Sequence, residues 1–183
     1  YAREFADKYG VQYAIVRNAT VLRHTAELPT EEPRQPYILY QGAVNEGRCF
    51  ETLIPAMQSI DMPLLVCGEG NFFEQARALC RQYHLEDKIT FLGYQPPEHL
   101  QRYTRHAMIG ITLFSSTCRS NYLSLANRFF DYMHAGIPQI AMDFPEYRHI
   151  NTEFEIAVLL PDAGIQTIAT AINQLIQQPE KRI

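Results

Sequence analysis

The chain has 183 residues, 46% of them apolar, 11% aromatic and 20% charged, with a net charge of -4, which fits one globular domain with a full hydrophobic core. No run of ~18 or more apolar residues is present that could span a bilayer, and the acidic balance excludes a general nucleic-acid binder, which needs a basic excess to neutralise phosphates. The four cysteines at 49, 67, 80 and 118 have no CxxC spacing, and they read as reduced thiols of a cytoplasmic protein rather than as a disulfide framework.

Residue 1 is Tyr rather than Met, and residues 1–9 read as the end of an amphipathic helix entering from an upstream segment and stopped at Gly10. Residues 11–17 (VQYAIVR) predict a short strand closing at Asn18. Residues 24–36 hold three prolines, three glutamates and little apolar content, which is linker chemistry. Residues 1–35 are therefore expected to be a helix tail, a strand and a linker, and residues 36–183 the domain proper.

From Pro36 onward, short apolar runs alternate with helical patterns. The strands are expected at 37–41, 63–67, 88–92, 107–113, 138–142 and 155–159, and the helices at 47–59, 71–83, 97–104, 125–135, 145–150 and 164–178. The strands are nearly continuous apolar runs, as strands buried on both faces must be, and this predicts a doubly wound, Rossmann-like α/β domain with a mostly parallel sheet of about six strands.

In such a sheet, ligands bind beyond the carboxyl ends of the strands. Gly42, Gly68 with Gly70, and Gly93 follow three successive strands there and allow close backbone approach. No GxGxxG opens the first helix and no GxxxxGK[ST] occurs, so these motifs support neither a nicotinamide-dinucleotide nor a P-loop nucleotide reading. Arg48 lies where the first long helix begins, a place suited to holding a diphosphate. Asn127 and Asp131 are four residues apart and share a helix face, with Phe129, Phe130 and Met133 on the face that buries. A carboxylate at Asp131 can accept hydrogen bonds from two vicinal hydroxyls such as those of a ribose. The six histidines form no HxH or HExxH group and no Asp-x-Asp occurs, so neither a metal nor another cofactor is expected.

The run SLANRFFDYMHAGIP at residues 124–138 resembles the Ser-x-Pro-Asn-Lys-x-Phe-Glu-Tyr-Met-x-x-Gly-x-Pro signature of family 4-like retaining glycosyltransferases, which have the two-domain GT-B architecture. Tyr40-Gln41-Gly42 with Arg48, Val66-Cys67-Gly68-Glu69-Gly70, and Ile89 to Tyr94 are similar to three further strand ends of its C-terminal, donor-binding domain, in the same order. The resemblance implies that Asp131 holds the ribose, that Arg48 contacts the diphosphate as the catalytic cation, and that backbone groups near Gly93 and Tyr94 meet the base. It implies that Ser124, Asn127 and Arg128, at the loop and helix start, face the sugar and phosphates.

Four positions depart from the family pattern: Asp131 stands for Glu, Leu123 for an acidic residue, Ala43 for an arginine and Cys49 for a glycine. The function implied is transfer of a sugar from a nucleoside-diphosphate donor; a non-catalytic nucleotide-binding module of the same fold is the first alternative, and a dinucleotide- or flavin-binding α/β protein the second. The acceptor, a saccharide, a lipid-linked group or another molecule, would be bound mainly by an N-terminal domain, without which the chain is not expected to turn over. Location in the cytoplasm, or peripherally at the inner membrane face, is the corresponding expectation.

Overall fold

In a computed structural model, residues 2–16, 18–20 and 35–178 are described. Helix α1 (Ala2–Tyr9) is followed by β1 (Ile38–Gln41), α2 (Phe50–Ala56) with a 3-10 turn at Met57–Ser59, β2 (Leu64–Cys67), α3 (Phe73–Gln82), β3 (Ile89–Gly93) and α4 (Pro97–His106). Then come β4 (Ile109–Thr112), α5 (Arg119–Tyr122), α6 (Asn127–His134), β5 (Gln139–Met142), α7 (Pro145–Glu153), β6 (Ala157–Leu160) and α8 (Ile165–Gln177).

The six strands form one sheet in the order β3-β2-β1-β4-β5-β6, parallel throughout. This is the doubly wound α/β fold expected from the alternation of elements. The chain builds outward from β1 to β3 and then returns to lay β4 on the other side of β1. The switch point, where ligands gather in such folds, is the crevice between the ends of β1 and β4.

Burial follows the two-residue period of a strand. Ile38 and Tyr40 point into the larger core, with Phe50, Leu53 and Ile54 of α2 and Ile168 and Ile172 of α8. Tyr37 and Leu39 point to the opposite face and pack with Tyr132 of α6 and Leu100 and Tyr103 of α4. Gln41 shares their parity, and its side chain therefore faces α4 and α6.

Three helices carry clear punctuation. Proline occupies the first turn of α4 and of α7, where its missing N–H is not needed. Helix α6 stops at Gly136, whose φ of 67° supplies the left-handed residue that ends many helices. Tyr132 of α6 is fully buried and fits against the sheet because position 110 is a glycine. A Cβ there would lie 2.4 Å from its ring.

Two sequence expectations differ from the structure, and one lies outside the described residues. Residues 11–16 form no strand, and Arg17 lies outside the described residues. Ile15 is 73% exposed and Val16 90%, so an apolar run with strand propensity has no sheet neighbour to complete it. Residues 24–34 of the expected linker also lie outside the described residues. The face of α6 that buries most completely carries Tyr132, with Phe129 and Phe130, rather than Met133. The short helix α5 has no counterpart among the expected elements, since four residues are too few to show a period.

Candidate functional site

Two groups of polar side chains meet at the ends of β1 and β4. The first is cationic. Arg48 precedes Cys49, the residue that caps α2 from the left-handed region with φ 60°. Arg48 Nη1 donates to Oδ1 of Asn121 at 3.0 Å, and its guanidinium lies 4.4 Å from the centroid of the Phe114 ring. Arg128 approaches the same ring at 4.7 Å and that of Tyr40 at 4.6 Å.

Arg128, expected at the helix start facing the phosphates, is only 7% exposed. Its Nη1 donates to the Gln41 carbonyl at 3.0 Å and its Nη2 to the Leu113 carbonyl at 3.4 Å, joining the ends of β1 and β4. Its Nε has no hydrogen-bond partner among the described residues. A Cβ on Gly42 would sit 3.1 Å from Arg128 Nη1, so the guanidinium lies directly against the Gly42 turn. Burial and the neighbouring Arg128 charge both pull the Arg48 pKa below the ordinary arginine value. Two guanidinium groups on one aromatic ring, held by carbonyls and an amide, favour an anion between or above them.

The second group centres on Asp131, half-buried in the second turn of α6. Its Oδ2 accepts a hydrogen bond from Gln41 Nε2 at 2.8 Å. It lines a cavity of about 320 Å³ between α4 and α6, together with Thr20, Leu100, Thr104, Arg105 and His134. Burial pushes the Asp131 pKa up, opposed by hydrogen bonds from Thr20 and Gln41 and by the nearby His134. The anion is therefore disfavoured by folding. A carboxyl raised in this way adds stability in acid and loses it as pH rises through its folded pKa. Asp131→Asn is thus expected to raise the thermal midpoint at about pH 7 and to leave it nearly unchanged at about pH 3, where both side chains are neutral. Melting curves at the two pH values check this, and a lower midpoint at neutral pH would refute it.

The glycines have a structural reason that the sequence did not reveal. Gly68, with φ 145°, is packed so that a Cβ would lie 1.9 Å from the Gly42 carbonyl oxygen, and Gly70 so that one would lie 2.4 Å from the Val44 carbonyl oxygen. The loops after β1 and β2 are therefore pressed against each other. Gly93 takes φ 65° at the end of β3. The N–H of Tyr94 donates to Glu69 at 3.3 Å, and the ring of Tyr94 is 69% exposed. These two residues stand two strands from Gln41 and do not line the cavity at Asp131.

Ser124 donates to the Asn121 carbonyl at 2.8 Å, which ties the loop before α6 to the residue that holds Arg48. Asn127 is exposed at the first position of α6. The structure thus brings Gly42, Arg48, Arg128 and Asp131 together at the switch point, with Ser124 supporting them through Asn121. Sequence reasoning missed Gln41, Thr104 and Phe114. Only Gln41 carried a signal, being a polar residue closing an apolar strand. At Cys49, burial pushes the thiol pKa up to about 11, so it is a protonated packing group.

A model of the family described as glycosyl transferases group 1 matches residues 26–183. No curated protein matches the chain. Among solved structures, the chain is similar to TarM of S. aureus, in a mutant complexed with fondaparinux, alpha-GlcNAc-glycerol and UDP, at 12% identity and TM-score 0.74, over 99% of this chain and 36% of that one. It is similar to sucrose-phosphate synthase of Thermosynechococcus elongatus at 22% identity and TM-score 0.75, over 98% of this chain and 48% of that one. HepE of Anabaena in complex with UDP gives 16% identity and TM-score 0.68, over 81% of this chain and 41% of that one. The chain thus spans between about a third and a half of the length of these three proteins. None of its described helices is long and apolar enough to cross a membrane.

Proposed function

The chain belongs to the glycosyl transferases group 1 family, and on that footing we propose that it is the donor-binding half of an enzyme that moves a sugar from a nucleoside diphosphate to an acceptor, with retention. The observation that carries the reading is the pair of guanidinium groups, Arg48 and Arg128, gathered on Phe114 beside the Gly42 turn, one helical turn from the half-buried carboxylate of Asp131. On this reading the diphosphate lies over the Gly42 turn, the ribose hydroxyls meet Asp131, and the base extends toward Gly93 and Tyr94.

Negative charge grows on the departing diphosphate as the glycosidic bond breaks. Arg48 and Arg128, together with the N–H groups at the start of α6, stabilise it. No metal is required in this scheme. The acceptor is a saccharide, a lipid-linked group or another molecule, held mainly by a second domain, so this half alone does not turn over. Catalysis takes place in the cytoplasm or at the inner membrane face.

Titration of the 183-residue chain with uridine, guanosine and adenosine diphosphates tests the reading. One of the three is expected to bind in the micromolar range, and Arg48→Ala and Asp131→Ala each to weaken it by ~10-fold or more, the worth of one hydrogen bond to a charged group. Absence of binding by all three would sink the proposal.

A further inference from the structure

Gln41 is the side chain through which both helices on this face of the sheet reach the strand end at the switch point. Its carboxamide donates from Nε2 to Asp131 at 2.8 Å and accepts at Oε1 from the Thr104 hydroxyl at 2.7 Å. Gln41 is 3% exposed and Thr104 4%, so neither contact is diluted by water. The Thr104 hydroxyl also reaches the Leu100 carbonyl at 2.9 Å, one turn back along α4. Turning the amide over would set Oε1 against the carboxylate, acceptor to acceptor, so the charge on Asp131 and the hydroxyl of Thr104 select one orientation between them. The backbone of Gln41 is held too, its N–H by the Tyr132 hydroxyl at 3.2 Å and its carbonyl by Arg128.

This chain of contacts fixes one oxygen of a short carboxylate while Asp131 still lines the cavity. On the cavity side the hydroxyl of Thr20 lines the same space as that carboxylate and lies 3.4 Å from Nδ1 of His134. A ligand hydroxyl can take the same place. We infer that Gln41, itself oriented by Thr104, is the positioning residue that holds Asp131 for a ribose hydroxyl, and that it sets a preference for ribonucleoside over 2'-deoxyribonucleoside diphosphates. The inference rests on the proposed donor site.

The test is calorimetric titration of the 183-residue chain with whichever of uridine, guanosine and adenosine diphosphates binds tightest, and with its 2'-deoxy form. The wild-type chain is expected to favour the ribose form by ~10-fold, as for a lost hydrogen bond to a charged partner. In Gln41→Leu the ratio should fall to within about 2-fold, since the carboxylate keeps its charge but not its orientation. Thr104→Val should lower the ratio and Thr104→Ser, which keeps the hydroxyl, should restore it; this pair decides the matter if the Leu variant fails to fold. A purely structural role would weaken both ligands equally and leave the ratio alone. If Gln41→Leu and Thr104→Val keep the wild-type ratio while Asp131→Asn abolishes it, the inference is overturned and the donor site stands. If the wild-type chain binds none of the ribonucleotides, the donor reading itself has failed and takes the inference with it.

Discussion

Gly68→Ala is expected to lower the thermal midpoint by roughly 10 °C, from ~3–5 kcal/mol of lost stability in a chain of this size. A Cβ at this position would lie 1.9 Å from the carbonyl oxygen and 2.8 Å from the carbonyl carbon of Gly42. Both atoms are backbone, so no side chain can swing aside, and φ 145° is itself unfavourable to any residue with a Cβ. Relief requires the loops after β1 and β2 to part. That strains the bonds from the Gly42 N–H to the Cys67 carbonyl at 2.9 Å and from the Gly68 N–H to the Gly93 carbonyl at 2.7 Å. Gly10 is the natural control, for it has a positive φ of 65° but nothing within 4 Å of where its Cβ would be. Gly10→Ala should therefore cost only the ~1 kcal/mol of the backbone preference. Comparable melting curves for the two variants would show that the loop contact has been misjudged.

The fold was legible because its strands are buried on both faces and therefore appear as apolar runs separated by helices; all six lie within two residues of their expected bounds. The run at 11–17 has the same local character, yet residues 11–16 form no strand, because pairing is a property of neighbours rather than of the run itself. The site was legible only in part. Arg48 and Asp131 could be singled out because their residue types suit a diphosphate and a diol. Arg128 was expected to face the phosphates from the helix start, but its helix position says nothing of the pocket that Tyr40, Phe114 and two strand-end carbonyls make for it. Gln41 and Thr104 are 63 positions apart in sequence. Only the strand's two-residue parity and the crossing of α4 over β1 bring them together, and neither can be read from a single stretch of chain.

Arg128→Met is expected to leave the chain folded and to weaken nucleoside diphosphate binding by ~100-fold, the size of a unit charge acting over about 6 Å at an effective dielectric near 20. Methionine keeps much of the side-chain bulk between Tyr40 and Phe114 and removes a guanidinium that pairs with no carboxylate among the described residues. Exchanging a buried charge for an apolar side chain is often neutral or stabilising. The Gln41 and Leu113 carbonyls lose their donors in that variant, which offsets part of the gain. Arg128→Lys reverses the balance: it keeps the charge but cannot reach both carbonyls from a single ammonium in the geometry of the fork. Lysine should therefore retain more affinity than methionine and less stability. Affinity that follows charge, with stability following packing, identifies Arg128 as a buried cation acting on the diphosphate through the Gly42 turn. If the methionine variant binds as tightly as the wild type, the residue serves only to join β1 to β4, and Arg48 is left to hold the diphosphate with the backbone.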